Sequence, residues 1–409
     1  MNPASTLPAG VLNGVRVLDL TRIIAGPSCT QILADLGATV VKVEKPGEGD
    51  DTRRMGPFLR DATGHPTDES ATFLAHNRGK RSVAIDISRR AGADLVRRLA
   101  RASDAVIDNY KVGNLAKYGL DAATLRAADP RLVTCSITGF GADGPYAPRA
   151  AYDFVMQGMS GLMSTCGLPD GPPMRTGAPI TDLFTGLYAA IALLAALMHQ
   201  QRSGEGQHVD LAMLDAAVAV TGHLGLTHLL GEGVPQRQGN RNPIAVPAGV
   251  YRVRDGQCIV TCGNDGQWRA LARAIGRPQW AEDPTLATLA LRRPRIDDLD
   301  AMLGEVLHGW TQAELLAALE KAGVPAGPIH AMDDVFADPQ VKHRGIALKL
   351  PHGRGTDVPS LRSPLRLPAS PVRHVAPPML GQHTDEVLRT RLGLDDAALA
   401  ALRADGVIA

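Results

Sequence analysis

Between Gly14 and Asp51 the apolar pattern of the chain passes from strand-like to helical and back. Val15 to Leu20 is a short apolar run, Ser28 to Leu36 carries apolar residues at helical spacing, and Val40 to Val43 is apolar again. Gly26 and Pro27 punctuate the first junction and Gly37 the second. Pro27 suits a first helical position because it has no N–H to lose there, and Gly37 suits the position past the helix end because it can take positive φ. A strand, helix and strand joined this tightly predict two parallel strands with the helix as a right-handed crossover. The helix then starts at the carboxyl end of a strand, where unpaired N–H groups favour phosphate or another anion.

Three more strands are predicted at Ser82 to Ile87, Ala105 to Asn109 and Leu132 to Ile137, with helices over 89–101 and 114–127 between them. Alternating strands and helices imply a parallel sheet of doubly wound type, an α/β fold. Ligands of such sheets bind at the carboxyl ends of the strands, which places Ile24, Lys45, Asn109 and Thr138 near one edge. From Gly139 to Gly177 the chain turns Gly and Pro rich, with one helical segment near Asp153 to Leu162. An apolar helix over 183–200 follows, then a turn at Arg202 to Gly206 and a helix from Met213 to Leu230.

Val250 to Val253 and Cys258 to Cys262 predict a hairpin around Asp255-Gly256. Helices at 265–276, 295–308 and 312–322 come next, the last opened by a Thr311 and Glu314 capping box and closed by Gly323. Two terminal helices start at Thr384 and Asp395, in a segment too short for a core of its own. The expected division is a large domain from 1–200 and 330–409, a small α+β domain at 225–325, and linkers at 201–224 and 326–329.

Composition narrows the partners. Lys plus Arg number 43 against 42 Asp plus Glu, so no broad field favours nucleic acid or an anionic membrane. The first basic residue is Arg16 and no apolar signal segment precedes it. The run Leu183 to Met198 falls short of the ~18 residues a spanning helix needs and predicts a buried helix. Cys29, Cys135, Cys166, Cys258 and Cys262 form no CxxC, as expected in a reducing cytoplasm. Cys258 and Cys262 share one face of a strand with no second pair nearby, so no metal site is expected.

No Ser-His-Asp order, HExxH, P-loop or GxGxxG is present, and the missing glycine pattern after Leu20 argues against a nicotinamide oxidoreductase. Asp170, in CGLPDGPPMRTG, is a carboxylate held between Pro169 and Gly171-Pro172-Pro173. A carboxylate so placed could attack an activated acyl carbon or act as a base, and Asp-Gly is equally a plain turn.

The blocks VLDLTRIIAGPSCTQILADLGATVVKVEKPGEGDDTR, NRGKRSVAID, SDAVIDNYKVGNLAKYGL, SITGFGADGP, the Asp170 loop, TDLFTGLYAAIALLAALMHQQRSGEGQ and LGQHTDEVL resemble the class III CoA-transferases, the formyl-CoA and carnitine CoA-transferase family. The resemblance runs in order through nearly the whole chain and is greatest to the dicarboxylate-using, succinate–hydroxymethylglutarate type. It implies a Rossmann-like large domain built from both termini, a small domain, and two subunits interlocked as a homodimer. It also implies CoA thioesters as substrates with no permanently bound cofactor, a small carboxylic acid as second substrate, and Asp170 as the nucleophile. Ile24, Ala25, Lys45, Ile85, Asn109, Tyr110 and Lys117 match CoA-contacting positions. Ile24 stands where formyl-CoA transferases have Gln, which argues against oxalate or formate. GNRNPIAVPAGVY replaces the glycine run that covers the site in those enzymes.

Arg175 and Arg241 are candidate partners for the far carboxylate of a diacid. A racemase of 2-methylacyl-CoA shares the resemblance, with Asp182 at its acid position. Tyr152 stands at its His position, and a phenol, with an ordinary pKa of about 10, suits that role poorly. Asp182 is expected instead to cap the apolar helix. A non-catalytic CoA-binding module is the remaining alternative.

Overall fold

The computed structural model describes residues 10–409. Six parallel strands form the main sheet: β1 (Arg16–Asp19), β2 (Thr39–Glu44), β3 (Arg81–Ala84), β4 (Ala105–Asp108), β5 (Val133–Thr138) and β6 (His208–Ala212), in the order β3-β2-β1-β4-β5-β6. The parallel pairing of the first two strands, Val17 beside Val40, is as the sequence predicts. β6 was not foreseen. Its sequence, HVDLA, alternates polar and apolar residues as a sheet-edge strand does, but it is short and follows a turn directly.

Period-two alternation sends neighbouring residues of each strand to opposite faces, and both faces are covered. Val17, Val40, Ile107 and Cys135 face a core shared with α1 (Ala25–Asp35) and the long helix Ile180–Ser203, through Cys29, Leu33 and Leu193. Leu18, Val41, Val83 and Val106 face the other core, which holds Leu95, Val96 and Leu99 from α2 (Arg90–Arg101). The C-terminal helices Thr384–Leu392 and Asp396–Ala404 enter that second core through Val387, Leu388 and Leu399, so the end of the chain packs where its own lack of a core predicts.

Several boundaries differ from expectation for local reasons. Pro27 is the third residue of α1, because Ala25 and Gly26 already have helical geometry. The predicted helix over 114–127 is a 3-10 turn at Ala116–Tyr118 and a helix at Ala122–Ala128, divided where Gly119 takes φ +63° and Asp121 caps the second piece. The helix expected from Met213 to Leu230 is likewise divided by Gly222 at φ +52°. The long helix spans 24 residues, starts before Leu183 and reaches a length and hydropathy that could cross a bilayer. One face of it, including Thr185, Ala189, Leu193 and Leu197, lies in the protein core.

Contacts divide the chain into two units. The first comprises the described residues up to Leu162, with Arg175–Glu232 and His343–Ala409. The second comprises Met163–Met174 and Gly233–Lys342. It is built on the expected hairpin, Ala248–Val253 with Gly256–Thr261, and a third strand at Ala326–Pro328. Buried Cys258, Val260 and Cys262 on the hairpin pack with Trp268, Leu303 and Leu315 from its helices. The Thr311 and Glu314 capping box forms as predicted.

Candidate active site

The strand order reverses between β1 and β4: the chain runs outward through β2 and β3, then returns to the other side of β1. Loops diverge at such a reversal and leave a crevice at the strand carboxyl ends. A cavity of about 440 Å³ occupies it, lined by Ile24 and Ala25 after β1, Asn109 and Tyr110 after β4, Thr138 and Gly139 at the end of β5, and Tyr152, Asp182 and Met213 beyond. A second cavity of about 360 Å³ is lined by Lys45, Glu48, Ile85, Ser88 and Tyr118. Arg22 and Tyr110 border both.

The turn after β1 is held from beneath by buried charge. Asp19 is fully buried and accepts hydrogen bonds from Thr21 N–H at 2.8 Å, Thr30 Oγ1 at 2.6 Å and Lys80 Nζ at 3.1 Å. Burial raises its pKa, and Lys80, Lys42 and the Thr21 and Thr30 hydroxyls more than reverse this, holding it at about 2. Lys42, also fully buried, donates to Thr21 O at 2.7 Å and pairs with Asp50 at 2.8 Å. Asp50 in turn accepts from Ile23 N–H at 3.2 Å. Ile23 needs that support: it is β-branched and stands at φ +70°. Strain of this kind persists only where its surroundings impose it. Asn109 closes the turn from above, accepting from Arg22 N–H at 2.9 Å and donating to Arg22 O at 2.7 Å. Gly26 is required because a Cβ there would lie 2.3 Å from Thr21 Cβ.

The structure brings Ile24, Ala25, Asn109 and Tyr110 together in the first cavity, and Lys45 and Ile85 in the second. Lys45 is exposed and paired with Glu48. Lys117 lines neither cavity, its ammonium lying 4.8 Å from the Tyr118 ring centroid. Arg241 is bound to Asp297 at 2.6 Å and Asp300 at 2.7 Å, so its charge is already matched. Arg175 donates to the carbonyls of Thr176 and Gly177 and lines neither cavity. In this structure both arginines are engaged by protein groups.

Asp170 belongs to the second unit. It is exposed at the tip of a turn in which Gly171 N–H donates to Leu168 O at 3.0 Å and Met174 N–H to Cys166 O at 2.9 Å. Arg237 binds three carbonyls of this loop, those of Leu168, Ser164 and Pro169, and Gly239 N–H donates to Gly167 O at 2.9 Å. Those bonds explain why 163–174 group with the second unit although they fall inside the 1–200 segment expected to form the large domain.

A family model for CoA-transferase family III matches residues 12–384. The chain belongs to CoA-transferase family III. It is 45% identical over 379 residues to a succinate–glutarate CoA-transferase of Agrobacterium fabrum, covering 92% of this chain and 94% of that one. It is 36% identical over 405 residues to the human succinyl-CoA:glutarate CoA-transferase, covering 97% and 90%. A crystal structure of a CAIB/BAIF family protein from Brucella suis superposes with a TM-score of 0.83 at 43% identity, covering 94% of this chain and all of that one.

In this class III CoA-transferase two cavity residues carry features that sequence did not signal. Arg149 lines the first cavity with its guanidinium 3.7 Å from the Tyr146 ring centroid, and Tyr146 meets Phe140 edge to face at 5.5 Å. No acidic partner of Arg149 is present among the described residues. A lone Arg in a Gly and Pro rich loop has no pattern that marks it. Asp182 is the second. The expected cap of the long helix is not Asp182 but Asp153, whose Oδ1 accepts from Thr181 N–H at 2.8 Å and Asp182 N–H at 3.3 Å. The helix begins at Ile180, which puts Asp182 inside its first turn.

Proposed function

We propose that this enzyme moves coenzyme A from succinyl-CoA to a dicarboxylic acid of four to six carbons, with Asp170 as the nucleophile. The observation that carries the reading is the likeness, across 92% of the chain, to an enzyme named for exchange between two dicarboxylates. The adjoining cavities suit an elongated ligand. Ile24, Ala25, Asn109 and Tyr110 would meet the acyl-bearing arm, and Lys45 and Ile85 the nucleotide end. Arg149, preorganised on Tyr146 and lacking an acidic partner, is suited to the far carboxylate of a diacid.

The Asp170 carboxylate attacks the thioester carbon and expels CoA thiolate, leaving an acyl-aspartyl anhydride. The thiolate attacks the aspartyl carbonyl, releasing succinate with one former Asp170 oxygen. The acceptor carboxylate then attacks the aspartyl thioester, and the freed thiolate takes the acceptor acyl group. The carboxylate is regenerated, so no cofactor is consumed and none need stay bound. The carboxylate is a weak nucleophile, which makes a fixed turn and donors for the thioester oxygen valuable.

The working unit in this reading is an interlocked homodimer in the cytoplasm. The outer face of the Ile180–Ser203 helix leaves Leu187, Tyr188, Ile191 and Met198 exposed, a surface a second copy would cover. A balanced net charge of +1 supports small-molecule substrates without nucleic acid or membrane. A screen of donor and acceptor acids, with product CoA esters resolved by mass, tests the function. Succinyl-CoA with glutarate-sized diacids should give the highest turnover, and a preference for monocarboxylates would overturn the reading.

A further inference from the structure

The mechanism above leaves one carboxyl of the first cavity without a task. Asp182 lines that cavity and is only 7% exposed. Asp153 beside it is fully engaged: its Oδ1 accepts from the N–H groups of Thr181 and Asp182 and from the Thr181 hydroxyl, and its Oδ2 from Gln157. Among the described residues, none donates a hydrogen bond to the Asp182 oxygens and no cation pairs with them. Burial, and after it the Asp153 carboxylate, push the Asp182 pKa up to about 7.

An ionised carboxylate would be out of place here. The cavity is proposed to receive the acyl end of a thioester, and attack on that carbon drives negative charge onto its oxygen. A carboxylate facing that oxygen would oppose the charge, whereas a carboxylic acid can meet it with an O–H donor. Carboxyl groups kept neutral by apolar or anionic surroundings are able to donate in this way. We propose that Asp182 is a neutral carboxylic acid that donates a hydrogen bond to the carbonyl oxygen of the acyl thioester bound in the first cavity. The proton stays on Asp182 throughout; the bond shortens as the oxygen gains charge, and no proton is transferred. This role rests on the reading of the cavity as the acyl-CoA site and adds to it the group that stabilises the attacked carbonyl.

The test uses acyl-CoA carrying ¹³C at the thioester carbonyl, bound to the full-length Asp170→Ala protein so that turnover does not obscure the signal. Infrared difference spectra should show the carbonyl stretch lowered from its position in solution. The shift should persist in Asp170→Ala/Asp182→Asn, whose amide N–H still donates, and disappear in Asp170→Ala/Asp182→Ala. With Asp170 intact, Asp182→Ala should lower kcat by roughly 10²–10³ with the donor KM changed less than about threefold, and Asp182→Asn should stay within about tenfold of the parent. An identical stretch with and without the Asp182 side chain would overturn the proposal, as would an Asn variant as impaired as Ala in both measurements. An enzyme that shows the shifted stretch yet moves CoA to no dicarboxylate would refute the substrate reading and leave this role standing. Active transfer with an unmoved stretch would do the reverse.

Discussion

Asp153 and Asp182 lie 29 residues apart in sequence and meet at the start of one helix, where their surroundings differ. Asp153 receives the helix N–H donors; Asp182 receives none, and burial followed by the nearby Asp153 carboxylate raises its pKa. The folded Asp182 pKa, about 7, lies above an aspartate's ordinary value of 3.8, so between the two the folded protein keeps a proton that the unfolded chain has released. Stability from this group is therefore fullest below about pH 4 and declines as pH rises to 7. Asp182→Asn should abolish that decline, making the variant more stable than the parent at pH 8, by an amount on the order of 4 kcal/mol, and equal to it at pH 4. Denaturant titrations at the two pH values check this; equal differences at both would show that Asp182 is ionised in the fold. Arg149→Ala should raise the KM of a diacid acceptor by about tenfold, the loss of one charge-assisted hydrogen bond, and leave a monoacid unaffected. Steady-state kinetics with a matched acid pair decide it. Sequence suggested a capping carboxylate for the long helix but chose the nearer aspartate, because a cap donated by another helix leaves no local pattern.

At the scale of elements, the strand, turn and helix unit at the start of the chain was legible because its apolar periods differ and Gly37 ends its helix at φ +105°. What the pattern could not show is that the turn is strained at Ile23 and held by the buried Lys42–Asp50 pair. Two charges at 0% exposure are visible only once the fold has surrounded them. Removing one charge should be worse than removing both: Lys42→Met should cost about 3–5 kcal/mol because Asp50 is left buried and uncompensated, and Lys42→Met/Asp50→Asn, whose amide oxygen can still accept from the Ile23 and Thr52 N–H groups, should recover part of that loss. Thermal and denaturant unfolding measure it, and a double variant less stable than Lys42→Met would contradict it. Divisions such as that at Gly119 were missed for a simpler reason: apolar periodicity carried across a glycine whose positive φ ends the helix.

For the molecule as a whole, the doubly wound sheet followed from strands alternating with helices, and the edge strand β6 escaped because a five-residue strand after a turn gives little signal. Part of the candidate cavity's lining was legible. The wall residues Ile24, Ala25, Asn109 and Tyr110 converge at the strand reversal, whereas Lys117, Arg175 and Arg241 lie elsewhere or are already paired. If the exposed apolar face of the long helix is covered by a second copy, Ile191→Glu should shift the protein from dimer to monomer in sedimentation velocity, and an unchanged dimer would move the interface elsewhere. The proposed chemistry rests on Asp170, and the most direct measurement is mass spectrometry of the peptide that contains it after incubation with succinyl-CoA and rapid acid quench. A hydroxylamine-sensitive CoA adduct on Asp170, absent in Asp170→Ala, is the expected result. Transfer that proceeds with no adduct there, or with the adduct on another residue, would contradict it.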